Sequence, residues 1–378
     1  MKTSSMSSPT SLTSSVDKFF ELLQVAVGTR QSLSSLPDHS EWKAIHRMAS
    51  KQSLVGVCFT ALQTLGGDAD DGFLTIGMSE NLYLNWMSYA VAIQLRNETV
   101  NARCRQIRQI FADHGARTCI IKGQSNHQYY DDMAMFRQSG DIDIWVEGGR
   151  DKVLQLVQDI RPTRSIRETH AQLDIFEDTK VEVHYRPGLI RDFRRNRRLQ
   201  DFFCSKAEEC FSNDSPHLGF TVPTVQFNAV QQLLHIYHHL FDGGIGLRQV
   251  MDYYFVLTHL PSSDREATMQ VLRRVGVARF TAALMYVEQK VFGLDGRCML
   301  CQPSASDGEY LLSEMLEGGN FGAYDKRKTH DSKKHFYGSF FSTYFANLRH
   351  LRFAPMEWLW SPLWRLYYFT WRKMRGYK

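Results

Sequence analysis

The chain has 378 residues, 43% of them hydrophobic and 22% charged. This ordinary globular usage excludes a disordered, collagen-like or coiled-coil protein and leaves room for two domains, or for one domain with a large helical extension. A formal net charge of +5 is too mild, as an average, to argue for nucleic acid or membrane. Seven irregularly spaced cysteines are the usage of a reducing compartment, and Cys298 and Cys301 form a lone CxxC without a second pair at zinc-ribbon spacing.

Residues 1–15 are mostly Ser and Thr and lack the apolar run of a secretory signal, so a disordered tail and a cytoplasmic protein are expected. Helical apolar spacing follows over Val16–Val27, over Glu41–Leu65 with Ser40 as N-cap, and over Asn81–His114, which stops at Gly115. The pattern then changes. Thr118–Ile121, Ile142–Val146, Leu173–Phe176 and Val181–Tyr185 read as strands, with a helix over Asp151–Ile160. Helical periodicity returns in Gln226–Leu240, Gly246–Leu260 and Asp264–Phe292. The expected fold class is α/β (α+β): a mixed-sheet core over 116–205, flanked by helical regions over 16–115 and 225–325.

The last segment, 326–378, carries 12 Lys or Arg against only Asp331 and Glu357, with 15 aromatic residues. The average charge therefore conceals an acidic body and a basic aromatic tail. Pro355, Glu357, Pro362 and Arg365 interrupt this tail, which excludes a membrane span of ~20 apolar residues. Its 353–378 portion suits peripheral contact with the inner membrane face, packing on the helical region, or a polyanion, with nucleic acid not favoured.

The strongest local signal is Gly140-Asp141-Ile142-Asp143-Ile144-Trp145-Val146. A period of two puts Asp141 and Asp143 on one face of a strand and the aliphatic residues on the other. Carboxylates about 7 Å apart along a strand repel each other unless a cation sits between them, so they are natural ligands for Mg²⁺. A solvated acidic edge is the plain alternative. Lys180-Val181-Glu182-Val183-His184-Tyr185 repeats the arrangement, and if the two strands are neighbours Glu182 becomes a third acid. Three such acids suit a two-metal phosphoryl or nucleotidyl transfer site, in which one of them can deprotonate an attacking hydroxyl. Upstream, the first strand runs into Lys122-Gly123-Gln124-Ser125, where a glycine admits backbone N–H groups to phosphate and a lysine pairs with its charge.

These motifs together resemble the nucleotidyltransferases of the DNA polymerase-beta superfamily, and within it a bacterial group often found among surface-polysaccharide genes. The later His235, His238, His239 and Gly246-Leu247-Arg248-Gln249-Val250-Met251-Asp252 are similar to that group's spaced histidines and R-x-x-x-D element. The resemblance implies a nucleotidyltransferase-like core moving a nucleotidyl group from an NTP to an unknown acceptor. It makes Asp141, Asp143 and Glu182 the catalytic and Mg²⁺-binding residues, places Lys122, Gly123 and Ser125 in the nucleotide-phosphate loop, and offers Arg137 to phosphate. His184, Arg248 and Asp252 are expected around the site. The superfamily usually has Gly-Ser or Gly-Gly after the first strand, whereas this chain has Gly123-Gln124. That departure leaves a second expectation, a catalytically silent binding or scaffold protein in envelope-polysaccharide assembly. The nucleotidyltransferase half of a toxin–antitoxin pair ranks last, because the chain is much longer than minimal forms of that type.

Three further features have bland readings beside the functional ones. His235 shares a helix face with His238 or His239, which suits packing beneath the site better than zinc. Arg248 and Asp252, at i and i+4, read as a helix-face ion pair. Arg191, Arg194, Arg195, Arg197 and Arg198 read as a solvated basic face that also suits an anionic acceptor.

Overall fold

The computed structural model describes residues 9–67, 72–325, 344 and 347–377. The element order is α1 (Pro9–Ala26), α2 (His39–Gln52), α3 (Val55–Gly66), α4 (Gly72–Thr75), α5 (Glu80–Asp113), β1 (Thr118–Ile121), β2 (Ile142–Val146), α6 (Gly149–Ile160), β3 (His170–Leu173), β4 (Val181–His184), α7 (Phe193–Phe211), β5 (Asp214–Ser215), β6 (Phe220–Thr221), α8 (Val225–Asp242), α9 (Leu247–His259), α10 (Ser262–Arg274), α11 (Ala278–Phe292), α12 (Ala305–Gly318) and α13 (Pro355–Met374). The fold is mixed α+β, with helices flanking a small mixed sheet.

The expected helices are present, with shifted ends. Residues 1–8 of the expected tail lie outside the described residues, whereas 9–15 are the first turns of α1. Proline is tolerated at such a start because its missing N–H has no intrahelical partner there, and Phe19, Phe20, Leu22 and Leu23 anchor the helix in the core. Asp38, not Ser40, caps α2: Asp38 Oδ1 accepts from Ser40 N–H at 2.7 Å and Glu41 N–H at 2.9 Å, while Glu41 Oε2 accepts from Asp38 N–H at 2.9 Å. This reciprocal capping box stabilises the end by about 1 kcal/mol.

Two expected single helices are each broken in two. Ser53 turns left-handed (φ 58°) between α2 and α3, and Gly276 (φ +83°) separates α10 from α11. Apolar spacing runs through both breaks because the helices on either side bury residues in the same core, for example Ile45 and Ala49 before Ser53 and Val57 and Cys58 after it. Arg194–Arg198 lie in the first turns of α7, capped by the Asp192 side chain at Arg194 N–H and Arg195 N–H, and Arg191 precedes the helix.

The sheet order is β1-β2-β4-β3, with β1 antiparallel to β2, β2 parallel to β4 and β3 antiparallel to β4. The strand expected at Leu173–Phe176 is instead His170–Leu173. Beyond it the chain turns, Ile175 N–H donating to Leu173 O, and Ile175 and Phe176 pack half-buried on the sheet's core, which gave them strand-like alternation.

One sheet face, with Ile120, Ile142, Ile144, Val146, Val181 and Val183, packs with Val100, Ile107 and Phe111 of α5 and Val153, Leu154 and Val157 of α6. The opposite face is apolar only in part: Trp145 packs on Phe211 and Phe227 at ring distances of 4.4 and 5.3 Å. The remainder of that face carries the polar residues described next.

Candidate active site

Strand register assembles the site. In paired strands directly opposed residues share a face, and here Ile121 opposes Asp143, Asp143 opposes Glu182, and Glu182 opposes Gln172. The adjoining row runs Cys119, Trp145, His184 and His170. Asp143, Glu182, His184 and His170 therefore converge on one face, with Asp141 just ahead of β2 and Lys122 just after β1. Together they line a cavity of about 1370 Å³.

Asp143 is the buried centre of the cluster. Its Oδ1 accepts from Lys122 Nζ at 2.6 Å and from His184 Nε2 at 2.7 Å. Burial opposes its ionisation, yet Lys122 and His184 outweigh burial and hold its carboxyl well below the usual range. His184 Nε2 also lies 3.6 Å from Glu182 Oε2, so the Asp143 and Glu182 oxygens are no farther apart than those two histidine distances laid end to end. For Glu182, burial is again outweighed, chiefly by His184, and its pKa is lowered. Burial and Lys122 lower the His184 pKa, but bonds to Asp143 and Glu182 raise it on balance.

Asp141 behaves differently. It opens to solvent through the cavity, and its pKa is pushed up to about 6 by burial of the carboxyl, then by repulsion from Asp143 and Glu182. Its exposure means that the burial contribution is screened by cavity water, whereas the like-charge contribution is one that a bound cation reverses.

The loop after β1 divides into residues that face the cavity and residues that shape the loop. Lys122 has φ 57° and Gly123 φ +35°, and both line the cavity. A side chain at Gly123 would meet little there, the closest atom to a built Cβ being Asp141 O at 3.8 Å, so the space beside this backbone is open. Ser125 was expected at phosphate. It is instead buried, with Oγ donating to Lys122 O at 2.8 Å, because the chain enters a 3₁₀ turn that rotates it away from the cavity. Gln124 is likewise turned away, donating to Asn97 and Asn101 of α5 at 3.3 and 2.8 Å.

The two expected arginine roles exchange. Arg137 was offered to phosphate, but it forms a buried two-point pair with Asp252 at 2.6 Å on each oxygen, and Tyr130 O–H also donates to Asp252 at 2.6 Å. The expected Arg248–Asp252 helix-face pair is therefore absent, since Arg137 occupies that carboxylate. Arg248 reaches Gln138 O at 2.8 Å, leaves Nε buried without a partner, and lines the cavity. Burial, then Arg137, lowers its pKa to about 10, so it stays cationic at neutral pH.

His235 lines the cavity floor with His238 and His239, its ring 4.3 Å from that of His239. Burial, then His239, holds His235 well below its ordinary value and hence neutral. Across from the acids, α13 supplies a wall with Arg365, Leu366, Tyr368, Phe369, Arg372 and Lys373. It is fastened by Tyr368 O–H to Ile166 O at 2.9 Å, by Glu357 accepting from Arg191 N–H at 3.0 Å, and by buried Trp364 beside Phe193. Arg191 is thus buried against α13, not part of a solvated face. Residues 326–343, 345, 346 and 378 of the expected tail lie outside the described residues.

His170 escaped sequence reading, and the basic aromatic tail, though singled out, was not expected to line the cavity. Placing the third strand three residues late put His170 in a loop, although His170-Ala171-Gln172-Leu173 alternates as required. Among the described residues the one group of three or more His, Cys, Asp or Glu side chains with donor atoms close enough for a single metal ion is His170, Glu182 and His184. The all-carboxylate trio expected from the motifs is therefore not a donor cluster of that closeness, and Asp143 Oδ1 is engaged by Lys122 and His184. No described helix is long and apolar enough to cross a membrane.

A family model described as an uncharacterised nucleotidyltransferase matches residues 38–293. No curated protein and no solved structure matches the chain.

Proposed function

The chain belongs to that uncharacterised nucleotidyltransferase family, and from this membership we propose that it is a Mg²⁺-dependent enzyme transferring a nucleotidyl group from an NTP to an acceptor. The observation that carries the reading is the parallel pairing of Asp143 with Glu182, with Asp141 beside them and Lys122 on the adjoining strand end. Asp141 makes no ion pair or side-chain hydrogen bond among the described residues, and the bonds to Asp143 leave Oδ2 unused. These hard oxygen donors fit Mg²⁺.

In this reading Asp141, Asp143 Oδ2 and Glu182 hold the metal, which when bound supplies positive charge at the phosphates. Gly123 lets the backbone approach the triphosphate, and Lys122 keeps Asp143 ionised and adds charge beside it. Arg248, with Nε unpaired, contacts a phosphate, while Asp252 positions Arg137 and the loop before β2. Glu182, nearest the histidines, takes the proton of the acceptor hydroxyl. The α13 wall, with Arg365, Arg372 and Lys373 among aromatic residues, suits an anionic acceptor such as a sugar phosphate or phospholipid headgroup. That wall is also compatible with contact at a membrane surface, whereas a role in surface-polysaccharide metabolism rests on the family resemblance alone.

The silent-scaffold alternative rested on Gln124. Its side chain packs on α5 and leaves the loop open, which favours the enzyme. The test incubates purified protein with Mg²⁺ and labelled NTPs, alone and with sugar phosphates, lipid extracts or RNA. Label transfer that disappears in Asp141→Asn with Asp143→Asn is expected. Absence of NTP binding under every condition, with the acids intact, overturns the proposal.

A further inference from the structure

The sheet face holds a second donor set, of different chemistry from the carboxylates. His170 Nε2 lies 3.4 Å from Glu182 Oε1, and His184 Nε2 lies 3.6 Å from Glu182 Oε2. One donor atom from each of the three side chains can be chosen so that all lie within 4.8 Å of one another. Ligands held at about 2.0–2.2 Å around a tetrahedral ion stand roughly 3.3–3.5 Å apart. The two measured contacts run to different oxygens of one carboxylate, and each is close to the edge length of such a site before any ion is bound.

The far side of each ring is also arranged for ligation. A metal-binding histidine typically fixes its other nitrogen on a hydrogen-bonding partner, which sets the tautomer and aims the free nitrogen. His170 Nδ1 lies 3.2 Å from Thr169 Oγ1, and His184 Nδ1 lies 3.3 Å from Arg186 O. Both rings accordingly aim Nε2 at the same carboxylate. The strands impose this, since His170 and His184 are direct partners across β3 and β4 and their rings lie 5.0 Å apart.

We propose that His170, Glu182 and His184 form a site for a borderline divalent transition metal, with Zn²⁺ the preferred ion. Two imidazoles and one carboxylate suit zinc and disfavour Mg²⁺, which demands oxygen ligands. The cavity leaves the remaining coordination positions open to water or substrate. Binding replaces one existing contact: His184 Nε2 gives up its hydrogen bond to Asp143 Oδ1 and releases that proton to solvent, while Nδ1–H keeps facing Arg186 O. Glu182 stands between this site and the two aspartates, so it can be shared with an ion on the carboxylate side. The inference does not depend on nucleotidyl transfer, because it concerns metal binding without nucleotide.

The test uses the full chain, stripped with chelator and titrated calorimetrically with ZnCl₂ or MgCl₂ in the absence of NTP. One equivalent of Zn²⁺, bound at least ~100-fold more tightly than Mg²⁺, is expected, as is a loss of tenfold or more in His170→Gln. X-ray absorption of the zinc-loaded wild-type protein should show imidazole scattering at about 2.0–2.1 Å, a readout that stands even if the variant fails to fold. Zn²⁺ binding no tighter than Mg²⁺, equal affinity in a folded His170→Gln, or a first shell without imidazole each overturns the inference. Mg²⁺-dependent NTP binding, measured separately, shows whether the nucleotidyltransferase reading stands or falls with it.

Discussion

Asp141 is the acid whose charge is least settled by the protein. Its pKa of about 6 lies above the ordinary 3.8, so the folded state holds a proton that the unfolded chain has lost. Its contribution to stability is therefore present at low pH and is lost as pH rises toward and through 6. A cation competes with that proton. Mg²⁺ affinity should rise about tenfold between pH 5 and pH 7, following the ionised fraction of a group with this pKa, and calorimetry should find the slope flattened in Asp141→Asn. The two arginines make a contrasting pair. Arg137→Ala leaves Asp252 charged and buried, and should destabilise by about 3–5 kcal/mol in denaturant titrations. Arg248→Ala removes a cation with little internal pairing; it should leave unfolding almost unchanged while weakening NTP binding by about 1.5–3 kcal/mol, on the order of 10–100-fold.

At the scale of elements, most of the architecture was legible. Alternation in GDIDIWV and KVEVHY located β2 and β4, and the short apolar run TCII located β1, because each is a strand whose buried face must read as aliphatic. What escaped was set by tertiary context. Ser53 has no local signal for a left-handed turn, and Gly276, which has one, sits inside an uninterrupted apolar stripe. His170 was missed because Ile175 and Phe176 alternate as a strand would while packing as a turn. Ser125 and Arg137 carried the right chemistry in the right stretch of chain, yet a 3₁₀ turn and an acid more than a hundred residues away decide where they point. The α13 wall was legible in composition only, as a basic aromatic tail of undecided partner. This helix exposes Leu359, Leu363, Leu366 and Met374 while burying Trp364, an amphipathic arrangement that can rest on a membrane interface. The full chain should therefore sediment with anionic vesicles and not with neutral ones, and Leu359→Glu with Leu363→Glu, both outside the cavity lining, should release it without lowering the melting temperature.

At the scale of the whole molecule, the α13 wall and the acids come from distant parts of the sequence, so the cavity is complete only when the last helix has docked. Loop closure over such separations costs entropy that the docked contacts must offset, which Glu357, Trp364 and Tyr368 do from three points along α13. The Lys122–Asp143 pair also bears on how the protein stands when no ion is bound. Small structural zinc domains unfold when their ion is taken away, because nothing else neutralises the ligands. Here an ammonium group and an imidazolium already occupy buried Asp143, so the chain carries its own placeholder cations. Loss of metal should then be an idle state and not damage: chelation should stop nucleotide binding while far-UV circular dichroism stays constant, and returning the ion should restore binding in full without a refolding lag.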